Sequence, residues 1–526
     1  MRVLRSAALA ALLAAQLGGA ARAEATDAEL YAPLLDALER PLAAALDDTL
    51  PRYRITATLS PVASTGPATI SGSVELDYVN TSGGAQRELD LRLYPNTPEY
   101  GDGGMRLDDL SIDDEPATGA QGDPAAGGDA TLLTIRLAAP LAEGGRLTLA
   151  ATFVTTVPTD LTRSYGMFEY DSVLDTYALA HWFPMLAGID PDGSWLTDPP
   201  SENGDPVFSN AALFDVELTA PTELVIATSG SESGLSPAAE VTTHHYVSGP
   251  SRDFVMAASA GFEVIERRVG ETTVRSYTVD GFESGNEAVL AAGSQALEVY
   301  GRLFGDYLYD ELDLIQIPLG GGAGGVEFPG ILYIGADYYD DTPEDEGAPD
   351  FLEFVVAHEV GHQWWYGAVG NDQYRHAFLD EGLTNYLTTV YFAEQHGAAA
   401  GEEQVNHALK LSYFNLLFNR GDQIVDQPTD AFPSANSYGA TIYGKGALGF
   451  GAIRAEIGDE AFFGALRAYY ADLRFRVATP ADLLAAFEQA AGEQLDELWR
   501  HWFEAAEGGQ DYDESDLADL LVEIGR

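Results

Sequence analysis

The chain has 526 residues, more than one ordinary core accommodates, so two domains are expected. Its 46% hydrophobic and 21% charged residues are those of a folded protein rather than a disordered one. A net charge of −56 argues against nucleic acid and anionic membrane as partners, and the absence of cysteine excludes disulfides and thiolate-held metal.

In chain order, residues 1–23 read as a secretory signal. Arg2 and Arg5 give a basic start, Ala7 to Leu17 an apolar run, and Ala21-Arg22-Ala23 a cleavage site before Glu24. The run falls short of the roughly 20 residues a span needs, and no later run is long enough. The mature chain is therefore expected to be exported, periplasmic or extracellular, with no membrane span. Losing Arg2, Arg5 and Arg22 takes its charge from −56 to −59. Only Lys410 and Lys445 are lysines. Such a surface suits high salt, where screening weakens self-repulsion, and equally a composition bias kept for solubility.

Residues 24–50 form an N-terminal helical segment, with an amphipathic helix expected over 27–48. From 51 to 266 the hydrophobic period is two. Val74, Leu76 and Tyr78 share one face, as do Leu147, Leu149, Ala151 and Phe153. This stretch is expected to be an antiparallel β domain. The period changes near 267, where Leu290, Leu297, Tyr300 and Phe304 recur at helical intervals. One strand-like stretch, "LDLIQIP", and a glycine-rich segment follow. The chain then reads as mostly helical to 505, and 506–526 is an acidic tail, solvated or loosely docked as a helix. The fold class is thus multidomain, β followed by α/β.

The chemistry sits in "VVAHEVGHQWWYG", residues 355–367. Positions i and i+4 of a helix share a face, so His358 and His362 can hold a metal between them. Glu359 lies about 100° around the helix, beside a metal-activated water and not on the metal. In "FLDEGLTNYL", Glu381 lies 19 positions after His362 in a second helical pattern that can fold back on the first. Two histidines and one carboxylate leave an open fourth position, the arrangement of catalytic zinc; structural zinc is closed by four ligands. One Zn2+ per chain and hydrolytic chemistry are expected.

HExxH, an 18-residue gap and a Glu-Gly pair resemble the thermolysin-like gluzincins, specifically the alanyl aminopeptidase family that includes the leukotriene-type hydrolases. The resemblance runs from "HWFP" (181–184) and "SRDFVMAAS" (251–259) to "LDELWRHWF". It implies a saddle-like β sandwich before a thermolysin-like catalytic domain over 267–505. It further implies that "GGVEF" is the amine-binding stretch: Glu327 would bind a substrate's free α-amine, with Gly324 and Gly325 letting a peptide pair with the backbone. "YGKGA" is similar to the family's Tyr-x-Lys-Gly-Ala, which gives Tyr443 the role of stabilising the oxyanion. Tyr438 is a second tyrosine in that window, and Lys445 follows Tyr443 by two.

Gly325, Val326 and Phe328 depart from the family pattern, and with Phe328 in place of a polar Asn first-residue preference does not carry over. The β-domain segment "YALAHWFP" holds no Gln or Glu, which leaves Glu327 expected as the only amine anchor. The chain ends where the family's catalytic domain ends, so a more open cleft or a partner subunit, a homo-oligomer among the options, is expected in place of a cap. The acidic run 338–350 reads as a solvated loop, or a rim drawing basic N-termini. The expected activity is a zinc aminopeptidase acting on peptides with free N-termini. The rivals are an endo- or oligopeptidase, a non-catalytic peptide binder, and an ester or epoxide hydrolase.

Overall fold

Alternation along Thr69–Val79 and Arg146–Thr156 buries Val74, Leu76 and Tyr78 and, opposite them, Leu147, Leu149, Ala151 and Phe153. The structure, a computed structural model, describes residues 25–525 except 47, 48, 65, 162–164, 202, 206, 322 and 340–350. The expected signal at 1–23 and the acidic run from 340 onward lie outside the described residues. No described helix is long and apolar enough to cross a membrane.

The N-terminal domain is built on an eight-stranded sheet. Its order is Ser231–Pro237, Val241–Ser251, Ala212–Pro221, Arg52–Ser60, Thr69–Val79, Arg146–Thr156, Gly104–Ile112, Glu115–Pro116. Two four-stranded sheets share its core, in which Trp182, Phe183, Phe214 and Phe254 pack edge to face. The sheet is not wholly antiparallel as expected: Arg52–Ser60 runs parallel to Ala212–Pro221. A parallel pair needs a crossover, and here it contains the whole of the sheet formed by Met185–Leu186, Gln86–Arg92, Leu132–Leu141 and Gly119–Gln121.

The second domain opens on a five-stranded sheet of order Glu263–Val269, Thr272–Thr278, Glu311–Ile317, Ile331–Gly335, Gly325–Phe328. The expected break at 267 falls inside its first strand; the change of sheet comes between Ser259 and Glu263. Beyond residue 266 only Glu311–Ile317 was expected as a strand. Ile331–Gly335 is buried at every position, so its apolar run carries no two-residue period. The first two strands form a hairpin that reads as a continuation of the β domain.

Helices Glu283–Phe304, Phe351–Gly361, Glu381–His396 and Ala447–Leu473 pack beside this sheet around one core, which buries Leu290, Leu297, Tyr300 and Phe304. The N-terminal segment forms two helices, Asp27–Tyr31 and Asp36–Leu46, rather than one. Leu30, Tyr31, Leu34, Leu42 and Leu46 join the core of the second domain, and the Leu35 amide donates to the Leu308 carbonyl at 2.9 Å. The segment is a strap on the second domain. In the tail, Glu514–Ile524 is a helix capped by Asp513 and docked through buried Leu520.

Arg252, in the "SRDF" stretch, is fully buried and clasps the two domains. Its guanidinium donates to the carbonyls of Tyr366 (2.6 Å), Ser209 (3.1 Å) and Arg476 (2.9 Å). This fixes the chain that leaves the HExxH helix against the β domain.

Candidate metal centre and active site

The HExxH helix, Phe351–Gly361, is mostly apolar, with Val356, Ala357 and Val360 fully buried. Gly361 brings it against the helix Glu381–His396: a Cβ there would lie 2.7 Å from the Thr384 methyl. That close crossing carries Glu381, the first residue of its helix, to both histidines. His358 Nε2 and His362 Nε2 are 3.0 Å apart, and Glu381 Oε2 lies 3.1 Å from the first and 3.3 Å from the second. A tetrahedral ion with bonds of 2.0–2.1 Å sets its ligands roughly 3.3 Å apart. The donor set, its spacing and its burial fit one zinc ion.

The surroundings prepare these atoms. His362 Nδ1 donates to the Trp365 carbonyl at 3.0 Å, which turns the ring so that Nε2 faces the centre. Burial holds His358 below the usual imidazole range, against the hydrogen bond to Glu381, and so keeps it neutral. Burial alone would raise Glu381, but hydrogen bonds to His358 and His362 outweigh it and keep the carboxylate ionised. Its position at a helix N-terminus favours the same charge.

Glu359 is buried and stands outside the ligand triangle, with Oε2 free of any partner. Burial pushes its carboxyl up to about 8; the His362 charge opposes the shift and the Glu381 charge adds to it. A bound cation would pull it back down. Gly325 makes room for it, since a Cβ there would lie 2.5 Å from Glu359 Oε1. Gly324 likewise lies against Val355, since a Cβ there would lie 2.7 Å from a Val355 methyl.

Gly325–Phe328 is the edge strand of its sheet, antiparallel to Ile331–Gly335. The turn between them uses Pro329 and Gly330, the latter at φ 78°. Gln363, one turn beyond Glu359, clamps this hairpin. Its Nε2 donates to the Phe328 carbonyl and its Oε1 accepts from the Gly330 amide, both at 2.9 Å. The free edge beside Glu359 is a template for an added peptide strand. Glu327 points from it to the centre: carboxylate oxygens of Glu327 and Glu359 and a His362 nitrogen lie within 4.8 Å of one another.

Tyr443 sits in a π-helical turn, Ala440–Gly446, and its hydroxyl donates to Glu381 Oε1. Gly382 admits this turn, since a Cβ there would lie 3.1 Å from the Ile442 carbonyl. Asn385 Nδ2 holds the Tyr443 carbonyl at 2.7 Å. Lys445 is fully buried and pins the turn through Asp422 (3.1 Å) and the carbonyls of Gln423 (2.6 Å) and Ala505 (2.8 Å). Burial and the Glu381 charge raise the Tyr443 phenol well above its ordinary value, so it remains a donor. The hydroxyl of Tyr438 has no partner and abuts Gly204 instead of the ligands. With the oxyanion-stabilising role that its motif implies, Tyr443→Phe is expected to lower kcat about 10²-fold with KM little changed, because a bond from this hydroxyl to the oxyanion forms only in the transition state. Steady-state kinetics check this.

Residues 289–502 match the family profile described as Peptidase family M1 domain. The chain carries a peptidase family M1 domain. It is the family that the HExxH, Glu-Gly and Tyr-x-Lys-Gly-Ala motifs resemble. Aminopeptidase M1-C of Oryza sativa subsp. japonica is 26% identical over 313 residues, 57% of this chain and 34% of that protein. Leukotriene A-4 hydrolase of Xenopus laevis is 25% identical over 216 residues, 38% of this chain and 33% of that protein. The chain thus spans about a third of the length of the curated relatives it matches. The fold is also that of a solved M1 zinc metallopeptidase from Deinococcus radiodurans, with TM-score 0.61 and 18% identity, covering 87% of this chain and 94% of that one. A variant of that enzyme bound to a Tyr-Ser-Ala substrate gives a TM-score of 0.63 at 19% identity, with the same coverage.

Within the M1 domain and its β partner, two polar residues stand at Glu327 that the sequence did not single out. Gln373 Nε2 donates to Glu327 Oε1 at 3.3 Å and to Asp205 Oδ2 at 3.2 Å. Glu327 is therefore not the lone carboxylate expected there. Asp205 comes from the β domain in the turn-rich stretch "SENGDP", and its only sequence signal is an acid in a polar loop. Tyr366, beside them, holds φ at 113°, a strained backbone at the domain junction.

Proposed function

We propose that this chain is an exported zinc aminopeptidase that removes N-terminal residues from peptides. The observation that carries the reading is the buried triangle of His358, His362 and Glu381, with Glu359 on one flank and the edge strand bearing Glu327 on the other. When bound, zinc supplies Lewis acidity, polarising the scissile carbonyl and making water a nucleophile near neutrality. The chain does the rest. The edge strand aligns the peptide, and Glu327 takes its α-ammonium, which limits how many residues fit before the scissile bond. A Glu359 carboxylate oxygen accepts the proton of the attacking water and passes it to the leaving amine. The Tyr443 hydroxyl donates to the developing oxyanion.

Export rests on the basic start, apolar run and A-x-A site of residues 1–23. N-terminal sequencing of the exported protein is expected to begin at Glu24; retention of the leader would contradict that part. For the chemistry, a chelator should abolish peptide cleavage, and one equivalent of Zn2+ per chain should restore it. Full activity in protein shown by metal analysis to be free of metal would exclude the proposal.

A further inference from the structure

A cavity of about 500 Å³ lies where the strap, the β domain and the loop after helix Ala447–Leu473 meet. Its walls are mostly apolar, with Leu46, Met185 and Phe214 among them. That size and lining are those of a small-molecule site. None of His358, Glu359, His362, Glu381, Glu327 and Tyr443 lines it, so it is separate from the metal centre.

Arg252, the clasp between the domains, also lines this cavity. A guanidinium has five N–H donors. Carbonyls take four of them: Tyr366 on Nε, Ser209 on Nη1, and Ala368 and Arg476 on Nη2. The second Nη1 hydrogen is uncommitted. Carbonyls satisfy donors without cancelling charge, and a fully buried cation with no counter-ion is costly. Burial lowers the Arg252 guanidinium to about 10, opposed only by the phenols of Tyr366 and Tyr309, and among the described residues no carboxylate pairs with it.

Two further features of the wall point the same way. The buried Tyr53 hydroxyl accepts from the Leu186 amide at 2.8 Å, and its own proton has no acceptor among the described residues. Phe475 holds φ at 61° while buried, a strained conformation for a bulky side chain. That turn sets the Arg476 carbonyl on Arg252 and leaves the Arg476 side chain exposed at the mouth. Asp190, the one carboxylate of the wall among the described residues, lies 3.8 Å from a counter-charge of its own, Arg375. The net charge of −56 opposes anions only at long range, where 0.1 M salt screens it within about 10 Å.

We propose that this cavity binds an organic carboxylate with an apolar body, its charge met by Arg252, Tyr53 and Arg476 and its chain laid against Leu46, Met185 and Phe214. The site stands or falls independently of the aminopeptidase reading.

The test titrates zinc-loaded protein calorimetrically with octanoate, and with octanol, octylammonium and acetate as controls. Octanoate is expected to bind one site per chain, and each control at least about 10-fold more weakly. Tyr53→Phe should weaken octanoate about 10-fold and leave octanol unchanged. Because Tyr53 is a core residue, the deciding variant is Arg476→Glu, at an exposed position, which should weaken octanoate about 5-fold. Octanol binding as tightly as octanoate overturns the proposal, since the cavity would then read apolar surface alone. Absence of saturable octanoate binding overturns it too. Octanoate binding that neither substitution weakens places the anion elsewhere, on the metal if chelation abolishes it, and overturns the proposal as well.

Discussion

Glu359→Gln is expected to lower kcat about 10³-fold while the protein keeps its zinc and its fold. Glutamine preserves the shape that Gly325 accommodates and keeps polar atoms in the pocket, so packing against the edge strand survives. It loses the ability to take a proton. Glu359 also lies outside the triangle made by His358, His362 and Glu381, so metal affinity should hardly change. Burial raises the Glu359 carboxyl in the metal-free site, and a bound cation lowers it again, toward the range in which a carboxylate takes a proton near neutrality. The check pairs kcat with metal analysis on the same sample. A variant that retains more than about a tenth of the activity would place the general base elsewhere.

Glu327→Gln is expected to lower kcat/KM for free-amine peptides about 10²-fold. Removing one partner of a buried, hydrogen-bonded charge pair costs about 2–4 kcal/mol. The loss should fall on substrates with a charged α-amine and spare those without one, which distinguishes an anchor from a structural carboxylate. Glu327 donates nothing to the metal triangle, so zinc content is again the control. Equal loss on charged and uncharged substrates would mean that the substitution disturbs the edge strand rather than the amine site.

The parts of this site that were legible in the sequence are those set by local helical geometry. His358, Glu359 and His362 lie within two turns, and the close crossing at Gly361 and Thr384 brings Glu381 in at the expected gap. Tyr443 was legible through its motif, and the buried anchor on Lys445 gives that motif its physical sense: the π-helical turn is pinned two residues from the phenol. Asp205 and Gln373 were not legible, because 168 positions separate them and nothing in "SENGDP" or "GNDQYR" announces their meeting. The same limit applies to the fold. Alternating strands such as Thr69–Val79 announced themselves, while the fully buried Ile331–Gly335 did not. Nor could amphipathicity in residues 27–46 say that their apolar side chains complete the core of the domain some 250 residues onward, against Leu308 and Tyr309.

The central claim is that this centre removes residues from free N-termini. The most direct measurement compares cleavage of a panel of peptides bearing free α-amines with the same panel N-acetylated. The account predicts turnover of the free-amine set and at least about a 10²-fold loss on acetylation, which removes the charge that Glu327 is placed to bind. Acetylated peptides cut as well as the free ones, or better, would contradict it and make the open edge strand the cleft of an endopeptidase.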